Sequence, residues 1–275
     1  MQHSTPTFGV KFLLFVLFFL GVLLMVFVVL DAEIFHVWIK SPQEKTAVGS
    51  PIEKTGQTQP LSTGVDKTRE SIVLIESRDC IDSTKGAIGT GFIVQKEGNR
   101  RYVATNAHVI RNSLDCDGCN IIDFTGKRHK AEMVGISLLD GYQNDVALLK
   151  VDNINDNTMP PLALLNSSQY KTGHDGDKVI TIGYPVPGLA SSYDKASVSS
   201  EGRISQFDQT NGYFIASGLS LNQGNSGGPI FIADTNNVLG IAVAKADVQV
   251  AENVAMFIPI DRFKEFFKEK TGRSL

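Results

Sequence analysis

The stretch GNSGGP at residues 224–229 sets one hydroxyl, Ser226, among Gly224, Gly227 and Gly228. Glycine takes φ > 0 and lets a second backbone come close. The stretch therefore has two readings. It is a tight turn between strands, or it holds a nucleophile with backbone N–H groups facing a developing negative charge. A serine hydroxyl is a poor nucleophile near neutral pH, so it needs a base within reach and an acid that holds the base's tautomer. Of the five histidines, His3 and His36 flank an apolar segment near the N-terminus. His129 stands in TGKRHKAE, which reads as a solvated strand or loop, and His174 in KTGHDGDK, which reads as an exposed turn. His108 is placed differently: in YVATNAHVI it follows a strand at a small-residue turn that presents the imidazole. Asp145, at the head of the apolar run DVALLKV, is the candidate acid, a turn residue at a strand start being its plainer reading. Asp140 and Asp152 read as solvated.

These residues need a frame. SIVLIES, GTGFIVQ, RYVATN, DVALLKV, DKVITIGYP, SVSSEGRISQF, GYFIASG and NVLGIAVAKA are short runs rich in β-branched residues, divided by Gly, Asn, Asp and Pro. Many short strands between turn signals predict an all-β sandwich or barrel. The first useful helical period comes at IDRFKEFFKEK, where Ile260, Phe263, Phe266 and Phe267 form one apolar stripe with lysines opposite. Docking of that stripe onto the barrel is expected; lying on a membrane is the alternative.

In this order and context TNAHV, NDVALLKV and GNSGGP resemble the three sequence blocks of the chymotrypsin-like serine peptidases. TIGYP, FIPID and the asparagine before Ser226 are closer to the bacterial HtrA (Deg) branch. The resemblance extends over residues 70–262. It implies two six-stranded antiparallel β-barrels with the site in the cleft between them. It also implies Ser226 as nucleophile, His108 as base, Asp145 as the acid that holds it, and an oxyanion hole from the N–H groups of Gly224 and Ser226. The implied specificity pocket uses Ser220, Val243, Ala244 and Lys245. With no acid in its wall, a small or medium apolar residue is expected there rather than Arg or Lys. Two departures stand out. Val109 occupies the place of a cysteine in secreted members, and Asn225 that of an aspartate which pairs with a newly cut N-terminus. No activating cleavage is therefore expected. The PDZ module usual in HtrA proteins would fall beyond this sequence.

A net charge of −3 gives no electrostatic case for a nucleic-acid partner. Residues 12–30, FLLFVLFFLGVLLMVFVVL, carry no charge and would span roughly 28 Å as a helix, close to the ~30 Å hydrocarbon core. With no small-x-small cleavage site after them, they read as an uncleaved single-pass anchor in the lipid bilayer rather than a signal peptide. Residues 1–11 form a short tail, 31–69 a Pro/Gly/Thr-rich flexible stalk, and 70–275 the peptidase domain. Lysines on both sides of the anchor leave its orientation open; the resemblance places the domain outside the cytoplasm, facing the periplasm or the cell exterior. Cys80, Cys116 and Cys119 admit a disulfide, three free thiols, or a zinc site with His129. A single CxxC pair argues against zinc, and neither metal nor cofactor is expected. The expected partners are protein or peptide substrates, and a homo-oligomer is compatible with the sequence. The rival function is a catalytically silent, membrane-tethered module that binds peptides. A lipase-type hydrolase would need its G-x-S-x-G on a strand-to-helix elbow in an α/β chain.

Overall fold

Residues Ile72–Arg78 form β1, and the need for its unbroken apolar run lies in strand geometry. Successive side chains point to opposite faces. Ile72 and Leu74 enter one buried cluster, while Val73 and Ile75 enter another. A strand covered on both faces has to be apolar throughout. The computed structural model describes residues 66–79, 86–113, 118–137, 139–185, 196–199, 201–233, 235–245 and 253–275. The expected anchor, the stalk up to residue 65, Cys80 and Cys116 lie outside these residues. Among the described residues no helix is long and apolar enough to cross a membrane.

The N-terminal sheet adds β2 (Gly86–Glu97), β3 (Arg100–Thr105), β4 (Cys119–Ile122), β5 (Arg128–Lys130), β6 (Glu132–Ile136) and β7 (Ala147–Val151). Its order is β5-β4-β1-β2-β3-β7-β6, all antiparallel. The C-terminal sheet holds β8 (Ala163–Leu164), β9 (Lys178–Gly183), β10 (Ser197–Val198), β11 (Gly202–Asp208), β12 (Tyr213–Ser217), β13 (Pro229–Ile232), β14 (Asn237–Lys245) and β15 (Val254–Pro259). Pairing of β9 with β13 closes six of these strands into a barrel, in the order β9-β11-β12-β15-β14-β13. β10 extends β9, and β8 lies parallel to β14.

The expectation of two six-stranded barrels needs one correction. Among the described residues the N-terminal sheet has seven strands by its ladders, and no ladder joins β5 to β6. The reason is covalent. Only Ala131 separates the two segments, so they cannot fold back on each other. The chain bends at Ala131, whose N–H donates to the Cys119 carbonyl at 3.0 Å. Its first half then pairs with β4 and its second half with β7.

Between the two sheets lies the largest apolar cluster, built from both, with Phe92 and Leu148 on one side and Ile182 and Phe231 on the other. The C-terminal helix α2 (Ile260–Thr271) buries Ile260, Phe263, Phe266 and Phe267 in the same cluster. Each such phenylalanine is worth about 1.5–3 kcal/mol on burial. The stripe thus faces the core rather than a membrane. The helix stops at Gly272, whose φ of 71° suits a left-handed cap and whose N–H returns to the Lys268 carbonyl at 2.8 Å.

Arg101 is fully buried on β3 and meets carbonyls instead of a carboxylate. Its guanidinium donates to Gly98, Asn155, Thr158 and Met159 at 2.8–2.9 Å, pinning the 155–159 loop to the sheet. Burial pulls its pKa below the ordinary arginine value, and the Asp156 charge partly restores it.

Candidate active site

His108 sits on the one-turn helix α1 (Ala107–Ile110), where the sequence suggested only a turn. Ala107, Val109 and Ile110 are buried, so the turn leaves His108 as its exposed member. Its ring Nδ1 lies 2.5 Å from Asp145 Oδ2, and its backbone N–H donates to Asp145 Oδ1 at 2.8 Å. A carboxylate only accepts, so this pair places a proton on Nδ1, and in the neutral ring Nε2 is then the acceptor. The Asp145 side chain is 13% exposed and that of His108 46%.

Asp145 is held from several directions. Its carbonyl accepts from Asn106 Nδ2 at 2.8 Å, and its N–H donates to Tyr142 at 3.1 Å. Next to it, Asn144 donates to the Asp140 carbonyl at 2.7 Å and accepts from Arg262 of α2 at 2.9 Å. The C-terminal helix therefore braces the loop that carries the carboxylate.

Ser226 comes from the other sheet, and glycines let the two halves meet. A Cβ on Gly89 of β2 would stand 2.7 Å from both Val109 methyls and 3.0 Å from the Ser226 carbonyl oxygen. One on Gly227 would stand 2.3 Å from both Thr105 Oγ1 and the Thr90 carbonyl oxygen, at a φ of 84°. The helix turn of His108 and the loop of Ser226 thus both pack into the space that a side chain on Gly89 would fill. Ser226 Oγ donates to the Val243 carbonyl at 3.1 Å. Val243 is the unpaired residue of a bulge in β14, between the Ala242 and Ala244 pairings, which frees that carbonyl from the ladder.

The amides of the loop divide cleanly. Asn225 donates to Asn222, Gly227 to Ala242 and Gly228 to Asn225, at 2.8–3.0 Å. Among the described residues, the N–H groups of Gly224 and Ser226 have no protein acceptor. They are the two amides expected to form the oxyanion hole.

His108, Asp145 and Val243 line a cleft of about 460 Å³ whose outer wall carries Leu139 and Tyr142. These two apolar side chains are 62% and 49% exposed. Of the expected specificity residues, Val243 is in this wall and Ser220 is half-buried. Ala244 and Lys245 pair with Met256 and Ala255 through the backbone; their side chains lie outside the described atoms.

The other two described histidines, His129 and His174, stand apart from this cleft. His129 is not solvated as its charged neighbours suggested. It lies on β5 with its side chain 11% exposed, and Nε2 meets Asp123 Oδ2 at 2.7 Å. Burial alone would raise the Asp123 carboxyl; hydrogen bonds from the Thr125 hydroxyl, His129 and the Thr125 and Lys127 amides outweigh it and hold the pKa low. His174 pairs with Asp177 at 2.7 Å in a part-exposed turn, as its sequence suggests. Asp152 pairs with Arg100, and Asp140 borders the cleft. Burial pushes the Cys119 thiol up to about 12, which keeps it protonated.

Gly89, Thr90, Asn106 and Asn144 position the site and were not singled out from the sequence. One signal was available for the first two. Glycine inside a strand, as in GTGFIVQ, marks close backbone approach. Asn106 and Asn144 are contacts across the fold with no local pattern to betray them.

Known proteins resemble this chain in sequence and in fold. The trypsin-like peptidase domain matches residues 89–241, more than half of the chain. A probable periplasmic serine endoprotease, DegP-like, of Rickettsia conorii is 30% identical over 195 residues, covering 70% of this chain and 35% of that protein. The serine endoprotease DegS of Haemophilus influenzae is 33% identical over 178 residues, covering 63% of this chain and 47% of that protein. The chain thus spans between about a third and a half of the length of these curated relatives. A crystal structure of the serine endoprotease from Yersinia pestis matches with a TM-score of 0.58 at 25% identity, covering 78% of this chain and 68% of that one.

Proposed function

As the chain belongs to the trypsin-like peptidase family, we propose that it is a serine endopeptidase with Ser226 as nucleophile, His108 as general base and Asp145 as the acid orienting it. The observation that carries this reading is the double grip of Asp145 on His108, through ring Nδ1 and backbone N–H. That grip fixes the tautomer a base needs. In the resting site Ser226 Oγ donates to the Val243 carbonyl. Attack would begin with rotation about its χ1, so that the hydroxyl proton passes to His108 Nε2 as Oγ bonds the scissile carbonyl carbon. The Gly224 and Ser226 amides would stabilise the oxyanion, and His108 would return the proton to the leaving amine.

Bound extended beside β14, a substrate would set apolar side chains against Val243, Leu139 and Tyr142. Protein chains with small or medium apolar residues at the cut fit this wall better than basic ones. Residues 12–30 would tether the domain as a single-pass anchor on the extracytoplasmic side, in keeping with the periplasmic relatives. A homo-oligomer fits this arrangement too. The test is digestion of an unfolded protein by the full-length chain in detergent, with fragment ends read by mass spectrometry. Cleavage after small or medium apolar residues that disappears in Ser226→Ala supports the reading. Undiminished cleavage by a folded Ser226→Ala protein refutes it.

A further inference from the structure

We infer that Thr90 is a positioning residue that sets the oxyanion loop through its hydroxyl; this rests on the proposed roles of Gly224 and Ser226. Thr90 lies on β2 in the N-terminal sheet and is fully buried. Three of its polar atoms reach the nucleophile loop or its support. Oγ1 donates to the Gly224 carbonyl at 2.6 Å, and the backbone N–H donates to the Ser226 carbonyl at 2.8 Å. The Thr90 carbonyl accepts from Thr105 Oγ1 at 2.9 Å. Oγ1 also accepts the N–H of Tyr184, just after β9, at 3.0 Å. One side chain thus ties together β2, the end of β9 and the loop before Ser226.

The direction of this relay is fixed. A peptide N–H can only donate and a carbonyl can only accept, so the hydroxyl proton has one place to go. Gly224 needs such a hold. Its φ of 98° lies where only glycine is at ease, and without a Cβ nothing in the residue itself resists rotation. The amides that would stabilise the oxyanion belong to the peptides before and after the Gly224–Asn225 unit. Fixing the Gly224 carbonyl, together with that of Ser226, sets the direction of both. Packing alone does not ask for a hydroxyl here, because valine has the same shape; the geometry points to the hydrogen bonds as the reason for threonine.

The experiment compares Thr90→Val and Thr90→Ser with the wild type, all full-length in detergent. It measures kcat and KM on a short peptide ester, together with affinity for a peptidyl trifluoromethyl ketone, which forms a tetrahedral adduct. Removing an oxyanion donor costs about 10²–10³ in rate, so loosening one should lower kcat by about 10- to 100-fold in Thr90→Val. KM should stay within about threefold, and affinity for the ketone should fall in step with kcat. Thr90→Ser should keep both near the wild-type values. Thermal melting identifies a variant that does not fold. In that case Thr90→Cys, which puts a weak S–H donor on a side chain close to serine in size, carries the same comparison, with kcat at least about fivefold below Thr90→Ser. A folded Thr90→Val with wild-type kcat, or Thr90→Cys equal to Thr90→Ser, overturns the inference while leaving the proposed function intact. A wild type inert to both ester and ketone overturns the proposed function and this inference with it.

Discussion

Replacing Gly89 with alanine adds one methyl at the seam between the two sheets, and its cost follows from the distances there. Gly89 has no positive φ, so backbone strain plays no part. The added Cβ would stand 2.7 Å from each Val109 methyl and 3.0 Å from the Ser226 carbonyl oxygen. Ordinary carbon contacts lie at about 3.5–4.0 Å, so α1 and the Ser226 loop must part by roughly 1 Å. Overpacking of this kind costs about 1–3 kcal/mol. In a domain of this size each kcal/mol lowers Tm by about 2–4 °C. The effect on chemistry should be larger. A displacement of about 1 Å between reacting groups can cost about 10²-fold in rate, so kcat/KM should fall by that order while the protein stays folded. The assay is hydrolysis of a short peptide ester alongside a thermal melt. Adding Val109→Ala removes both methyls from the clash and should recover most of the Tm loss. Recovery of activity should be smaller, because the Ser226 carbonyl is still crowded. Wild-type activity and Tm in Gly89→Ala would mean that α1 and the Ser226 loop do not pack closely against this glycine.

The remaining predictions concern stability. Arg101→Met would take away the guanidinium that the Thr158 and Met159 carbonyls, on the inner side of the 155–159 loop, accept from. At about 1–3 kcal/mol for each of these two groups left unpaired, urea denaturation should show a loss of at least about 2 kcal/mol; a loss below about 1 kcal/mol contradicts this role of Arg101. Asp123 has a lowered folded pKa, so its contribution is present above the unfolded value of about 3.9 and is lost as pH falls through the folded value. Asp123→Asn should therefore be less stable than wild type at pH 5, with the gap closing below about pH 4. A gap that does not change between pH 5 and pH 2.5 would show that the carboxylate charge does not matter.

How much of this could be read from the sequence depended on range. Ser226, His108 and Asp145 each sat in a local pattern: glycines around a hydroxyl, a strand ending in a small-residue turn, a carboxylate before an apolar run. The α2 stripe was equally local, and its phenylalanines are buried as its period suggested. Short strands such as CNII, RHK and PIFI carry too few residues to show a period, so β4, β5 and β13 were not separated from loops. His129 misled for a related reason. Its neighbours in sequence are charged, yet its partner Asp123 is reached across the β4–β5 hairpin. Thr90 and Arg262 act over still longer separations, on Gly224 and Asn144, and no window along the chain contains both partners.

In the proposed mechanism Ser226 is a nucleophile activated by His108 and Asp145. A fluorophosphonate probe tests it most directly, since it phosphonylates only a serine that a working site has made reactive. The full-length protein in detergent should be labelled once, with the adduct mapped to Ser226 by mass spectrometry. Labelling should vanish in Ser226→Ala and slow by about 10³–10⁴ in Asp145→Asn, where the wrong imidazole tautomer is favoured. A folded native protein that takes no label, or takes it on another serine, would contradict the account.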